Sequence, residues 1–409
     1  MENKNPEDNE KDIIDIGIED DEEIIESNET IINDDPVTKE DLDSVVIYSR
    51  DWTIQTIISQ IEAGNIDLNP SFQRRNVWEN DKRSKLIESL IVGYPVPEVV
   101  LAEVIGERKK YLVIDGKQRL LAIDGFFNPE KEYWKGKASL KGLTIRKDLE
   151  GQEKNSFDPV DLRLLENADL RCTILSGYKS TAVLYDVFYR LNTGSVPLSM
   201  QELRNSIYKG EFSRFITEAT NSKIPLHQIL SLSGPDKRFK DIEIILKYLA
   251  LNLSKNKYNS NLKSFLDGFM DDTNQDWDTL KDQVIDKSKN FNKACEMLTN
   301  IFGSSKKVGR KWIKAESKWE TRFNRSLFEV LVQYASEAIE SGEDQLLLDD
   351  VGKKTFVNGV KKAFDDEYFS AAVSATTKTL DQHKARFDTL FNILNSDFKI
   401  GLKTPVTLS

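Results

Sequence analysis

Apolar positions fall into two kinds of pattern along the chain, and the change between them divides it. In TIQTIISQIEA (53–63) isoleucines recur at helical spacing, which predicts a short helix closed by Gly64. Leu86, Ile87, Leu90 and Ile91 predict a second helix over about 81–92, stopped by Pro95 and Pro97. VVLAEV (99–104) and YLVI (111–114) are apolar runs too short for helices, so they predict strands joined by a turn at GERKK. Asp115-Gly116 ends the second run, and a helix over about 117–126 follows. Residues 128–160, rich in Lys, Gly, Asn and Asp, predict an insertion with a short strand pair. ADLRCTIL (168–175) predicts a strand, and STAVLYDVFYRL (180–191) a helix ending at Asn192-Thr193-Gly194. Ser199 and Glu202 form a capping-box pattern at the next helix start. Beyond it helical periodicity dominates, over 239–252, 261–271, 277–302, 319–340 and 376–395. The fold class expected is α+β: a mixed α/β domain over 44–225 and an all-α region over 226–409.

Charge sharpens this division. The 409 residues carry 57 Lys+Arg and 68 Asp+Glu, a net of −11. Residues 1–43 hold 18 acidic and 3 basic side chains, a net of −15, so the rest of the chain stands at +4. A mildly basic body is compatible with nucleic acid, which the overall acidity would argue against. The acidic segment is too charged to build a core and is expected to be a disordered tail to residue 43. It reads either as a solubilising tail or, through Ile13, Ile14, Ile16, Ile18, Ile24 and Ile25, as a segment that docks on a partner or folds back over a basic groove. No apolar run approaches the ~18 residues of a membrane span, and no signal peptide opens the chain, so a cytoplasmic location is the default. Two cysteines, Cys172 and Cys295, exclude a disulfide framework.

Four segments carry candidate chemistry. In YLVIDGKQRLLAI a strand runs through Asp115-Gly116 into a helix that opens with Lys117, Gln118 and Arg119. A helix start offers amide donors and a partial positive charge to a phosphate. Gly116 permits the turn and a close backbone approach, Arg119 could grip phosphate oxygens, and Asp115 could hold magnesium, a ribose hydroxyl or a water. The plain alternative is an N-cap aspartate with a turn glycine. NPSFQRRNVW (69–78) brings Gln73, Arg74 and Arg75 beside Phe72 and Trp78, residues able to read bases, hold phosphates or stack, and Lys82 and Arg83 extend the basic region. The alternative there is a charged loop anchored by Trp78. Asn192, Thr193 and Gly194 form a polar loop that could supply donors to a ligand, or simply link a C-cap to a capping box. In RFKDIEIIL (238–246), Asp241 and Glu243 are two apart and do not share a helical face, which weakens a paired-carboxylate reading. A P-loop and a G-x-G-x-x-G fingerprint are both missing, and the two histidines, His227 and His383, lie near no matching partner motif.

In this order, FQRRNVW, KLIESLIVGYPVP, VIDGKQRLLAI, VFYRLNTGSVPLSMQELRN and RFKDIEIIL resemble the N-terminal domain of GmrSD-type restriction endonucleases, over about residues 50–270. The resemblance implies a ParB/sulfiredoxin-like fold. It implies binding and hydrolysis of a nucleoside triphosphate, base unspecified, with magnesium, by the D-G-x-Q-R segment: Asp115, Gln118 and Arg119 catalytic, Asp115 also on the metal. Gly116, Lys117, Gln73, Arg74, Asn192, Thr193 and Gly194 would hold the nucleotide. Arg75, Trp78, Lys82 and Arg83 would face DNA, modified or phage DNA among the targets. Lys117 stands where Gln is usual in the family. Many members carry a C-terminal HNH nuclease with catalytic histidines. Residues 275–409 hold one histidine, His383 in TLDQHKARF, and no His-x-x-Pro motif. A sensor or NTPase subunit working with a partner nuclease, itself a candidate homo-oligomer, is therefore expected. A ParB-like DNA-binding switch without turnover, or a stand-alone nuclease using Asp115, Asp241 and Glu243 around a metal, are the alternatives.

Overall fold

The computed structural model describes residues 37–68, 78–191, 199–374 and 379–408. The front half holds α1 (Lys39–Leu42), β1 (Val46–Thr53), α2 (Ile54–Glu62), α3 (Asn80–Val92), β2 (Val99–Glu103), β3 (Tyr111–Asp115), α4 (Lys117–Phe127), α5 (Pro159–Glu166), β4 (Asp169–Ser176), α6 (Thr181–Leu191) and α7 (Met200–Ile207). Four strands form one sheet in the order β1-β4-β2-β3. β1 and β4 are antiparallel from Val46 opposite Ser176 to Thr53 opposite Asp169, β2 runs parallel to β4, and β3 returns antiparallel to β2. Side chains alternate across a strand. Val99, Leu101, Tyr111, Val113, Cys172 and Ile174 therefore enter a core shared with α2, α3 and α4. Val100, Ala102, Leu112, Ile114 and Leu175 enter a second core with α6 and α7. Burial on both faces is why β2 and β3 read as continuous apolar runs rather than alternating ones.

The rear half comprises α8 (Glu211–Ala219), α9 (Pro225–Ile229), α10 (Lys240–Leu253), α11 (Leu262–Gln275), α12 (Trp277–Phe302), β5 (Trp312–Ile313), β6 (Lys318–Trp319), α13 (Arg325–Glu340), α14 (Asp344–Leu348), α15 (Asp350–Ala363), α16 (Glu367–Ala372) and α17 (Leu380–Phe398). Its single large core starts at Phe212 and Ile216. Helix α8, expected with the front half, packs with the rear. The halves are pinned by a buried group: the Arg204 Nε donates to Asp267 Oδ1 at 2.6 Å, the Tyr185 hydroxyl donates to the same oxygen, and Lys263 lies 3.4 Å from Oδ2.

The differences from expectation have local causes. β1 carries no clean apolar period, because it is an edge strand with mostly exposed side chains. Among the described residues 128–160 hold no strand pair. That stretch is irregular chain with 3-10 turns, fastened by the Glu88 carboxylate, which accepts from the amides of Thr144, Ile145 and Arg146. Trp134, Leu140 and Leu149 drop from it into the core, so it is structural cover and not a surface appendage. Residues 319–340 begin as a hairpin strand, and α13 starts only at Arg325, so the rear is not purely helical. The expected tail boundary at 43 lies too late, since Thr38 and Asp41 form a capping box around α1; residues 1–36 lie outside the described residues. No described helix is long and apolar enough to cross a membrane.

Candidate functional site

The corner between β3 and α4 is built by its own short sequence. Gly116 sits at φ +91°, a conformation open to glycine, and a β-carbon there would lie 2.8 Å from Val99 Cγ2. The helix start carries no side-chain cap, so Asp115 is not the N-cap that one reading expected. Its carboxylate is held from one helical turn ahead. Arg119 Nη2 donates to Asp115 Oδ2 at 2.7 Å and to the Glu98 carbonyl at 2.9 Å. The Arg119 side chain is 9% exposed and the Asp115 side chain 28%. Arg119 thus faces inward and orients Asp115, while the carboxylate reaches the surface.

Lys117 is the unusual residue here. It opens α4 yet is only 7% exposed. Burial pulls its ammonium pKa down to about 8, against the pull of the Glu202 and Asp67 carboxylates, and the Lys209 ammonium lowers it further. Glu202, which sequence marks only as a capping residue, is raised by burial, with Lys117 and the Ser199 amide working the other way. Asp67 also accepts from Lys209 Nζ at 2.6 Å. Asp67 and Lys209 line a cleft of about 630 Å³ together with Asn65, Lys110, Lys131 and Tyr133, within the size range of small-ligand pockets.

The other three candidate segments come to this corner through their described residues. From NPSFQRRNVW, the Trp78 amide donates to Gln118 Oε1 at 3.4 Å, and Lys82 Nζ lies 4.6 Å from the Trp78 ring centre. After the polar loop, Ser199 and Glu202 begin α7 as a reciprocal capping box. From RFKDIEIIL, Arg238 Nε lies 3.8 Å from Glu202 Oε2, and its carbonyl accepts from Ser199 Oγ. Sequence could not foresee Asp67, Lys209 or the Glu98 carbonyl, because they belong to no local pattern and arrive by tertiary packing. Gln73, Arg74 and Arg75 lie outside the described residues, as do Asn192, Thr193 and Gly194.

Two expectations need correction. Arg83 is not a DNA-facing residue: it is fully buried, its Nη1 donates to the Tyr133 carbonyl at 2.5 Å, and burial lowers its pKa to about 10. A charge near the start of an amphipathic helix reads as solvent-facing, but the insertion closes over it. Asp241 and Glu243 do not join Asp115 in a metal cluster. Asp241 Oδ2 lies 2.9 Å from His227 Nε2 in a buried pair, and Glu243 faces Arg325 Nη1 at 3.1 Å. Among the described residues no three His, Cys, Asp or Glu side chains group closely enough to hold a metal ion. His383 is buried too, beside Glu329, Arg386 and the Tyr258 ring.

No curated protein matches the chain. Residues 54–209 match a family described as the GmrSD restriction endonuclease N-terminal domain. The match runs from α2 through α7 and so encloses the D-G-x-Q-R corner, both cores of the sheet and the polar loop before Ser199. Over residues 54–209 this chain is therefore similar to the GmrSD restriction endonuclease N-terminal domain family.

Proposed function

We propose that the front half is the nucleotide-responsive module of a restriction system directed against foreign DNA, binding a nucleoside triphosphate at the corner between β3 and α4 and working with a nuclease. The observation that carries this reading is the meeting of four separated segments around an uncapped helix start that holds a buried lysine and a half-buried carboxylate. An uncapped first turn favours an anion. The Lys117 ammonium, whose charged form burial disfavours, would gain most from a phosphate, and the adjoining cleft offers room for the rest of a nucleotide. Asp115, oriented by Arg119, is the residue suited to a magnesium ion or an attacking water, and Gln118 is placed to sense both the helix start and Trp78. Catalysis of this kind is positioning and electrostatic stabilisation. Trp78 and Lys82 are the described residues offered to DNA. A ParB/sulfiredoxin-like assignment of the four-stranded mixed sheet goes with this reading.

Phosphate release from ATP, GTP, CTP and UTP, with and without DNA, tests it. Turnover of at least one nucleotide, lost on Asp115→Asn, supports hydrolysis at the corner; turnover unaffected by Asp115→Asn discards the site. The inward Arg119 favours a second reading, in which nucleotide only switches DNA binding: a guanidinium committed to Asp115 and Glu98 is not free to stabilise a transferring phosphoryl group. Tight nucleotide binding without turnover would select that reading.

A further inference from the structure

The helical half carries a basic surface that the corner site does not use. Residues 305–322 contain seven Lys or Arg and two Glu. The fold turns this stretch into a small braced projection. β5 and β6 pair through Trp312 opposite Trp319, and the Glu320 amide donates to the Lys311 carbonyl. Below them the Asn324 amide donates to the Gly309 carbonyl. Arg310 is the buried bolt of this base: its Nη1 donates to the Ile229 and Val308 carbonyls, and its guanidinium lies over the Phe323 ring. The tryptophans brace the hairpin as well. Their rings meet edge to face at 5.1 Å, Trp319 packs on Phe302, and Lys361 Nζ sits 4.1 Å over Trp312.

On the outward side cations outnumber acids, of which Glu316 and Asp365 are exposed. Lys306, Lys307, Lys314, Lys318, Arg322 and, from α15, Lys362 are all exposed. Lys314 reaches Asp365 and Lys318 reaches Glu316, whereas Lys306, Lys307 and Arg322 have no acid partner among the described residues. The pairing of Gly309 with Asn324 brings the Lys306–Lys307 turn and Arg322 to the same base of the hairpin.

We propose that this face is a second nucleic-acid contact, which grips the phosphate backbone of duplex DNA. A rigid array of unpaired cations suits a regular phosphate lattice and carries no base readout. Single strands are held by aromatic platforms on which bases stack, and both tryptophans here are already engaged with protein rings. The inference rests on the reading above in one respect, that DNA is the partner of the chain; the surface itself is independent of the corner.

The test is duplex binding by the full chain, measured by fluorescence anisotropy over a salt series. It compares the wild type, the triple variant Lys306→Ala/Lys307→Ala/Arg322→Ala and the front-half variant Lys82→Ala. The triple variant should bind roughly tenfold or more weakly at moderate salt, and its plot of log affinity against log salt should flatten by about two to three units, near 0.9 for each phosphate no longer neutralised. Its melting temperature and its DNA-free nucleotide binding should match the wild type, because all three side chains are exposed. Wild-type affinity and slope in the triple variant would overturn the proposal, and a loss confined to Lys82→Ala would at the same time leave the front-half reading standing. Tighter binding of a single strand of equal length, abolished by the triple variant, would make the duplex the wrong partner and also overturn it. No duplex binding by the wild type would remove both.

Discussion

Proton uptake by Lys117 gives the sharpest test of the corner. Its pKa of about 8 lies well below the ~10.4 of an exposed lysine, because burial disfavours the charged form. A polyanion seated on the helix start would restore the charged form. If restoration were complete, the differential interaction would be on the order of 3 kcal/mol, from about 2.4 pKa units at ~1.36 kcal/mol each. Binding would then carry a proton with it above pH 8, and nucleotide affinity should fall about tenfold between pH 7 and pH 9. Lys117→Met should lower affinity at pH 7 by up to about 200-fold and leave what remains nearly independent of pH over that interval. Titration calorimetry in buffers of different ionisation enthalpy reads the proton count directly at pH 8.5. Wild-type affinity that stays flat from pH 7 to 9 would refute this role for Lys117, as would a Lys117→Met variant that keeps both the affinity and the slope. The same shift has a signature without ligand. The folded chain releases the Lys117 proton near pH 8 while the unfolded chain keeps it to about 10.4, so the unfolded state binds more protons in between. Lys117 therefore costs stability below pH 8, and that cost fades as pH rises through this window.

Gly116→Ala should destabilise the chain by about 2–4 kcal/mol in urea unfolding, because it forces a side chain to positive φ and brings a methyl against Val99 and Arg119; a loss under about 1 kcal/mol would show the turn to be pliable. Arg83→Ala should cost about 2–3 kcal/mol of stability by leaving the Tyr133 carbonyl unpaired, whereas Lys82→Ala should weaken DNA binding and leave the melting temperature alone; the reverse pattern would contradict the placement of both. His383 is held near pKa 4 by burial, below the ~6.5 of the unfolded chain, so the unfolded state takes up its proton first and stability should be lost as pH falls from about 6.5 to 4. His383→Gln should flatten that part of the stability curve, and an unchanged curve would place the acid sensitivity elsewhere.

Sequence alone determined what is local. The helical spacing of Leu86, Ile87, Leu90 and Ile91, the apolar period over 277–302 and the Ser199–Glu202 box are patterns within single helices, so α3, α12 and the start of α7 were legible to within a residue or so. The continuous apolar runs of β2 and β3 belong to strands buried on both faces, whereas β4 alternates buried with exposed side chains over its first half. The ordered motifs marked the D-G-x-Q-R corner without revealing which way Arg119 points. Tertiary structure decided that question, because the Glu98 carbonyl that helps turn Arg119 inward lies 21 residues away along the chain. It likewise buried Arg83 under the insertion, made Asp241 the partner of His227, and set Asp67, Glu202 and Lys209 around Lys117. Burial and electrostatic surroundings are sums over everything that packs nearby. A chain read residue by residue contains the terms of that sum but not their distances, and at charged positions the distances fix the outcome.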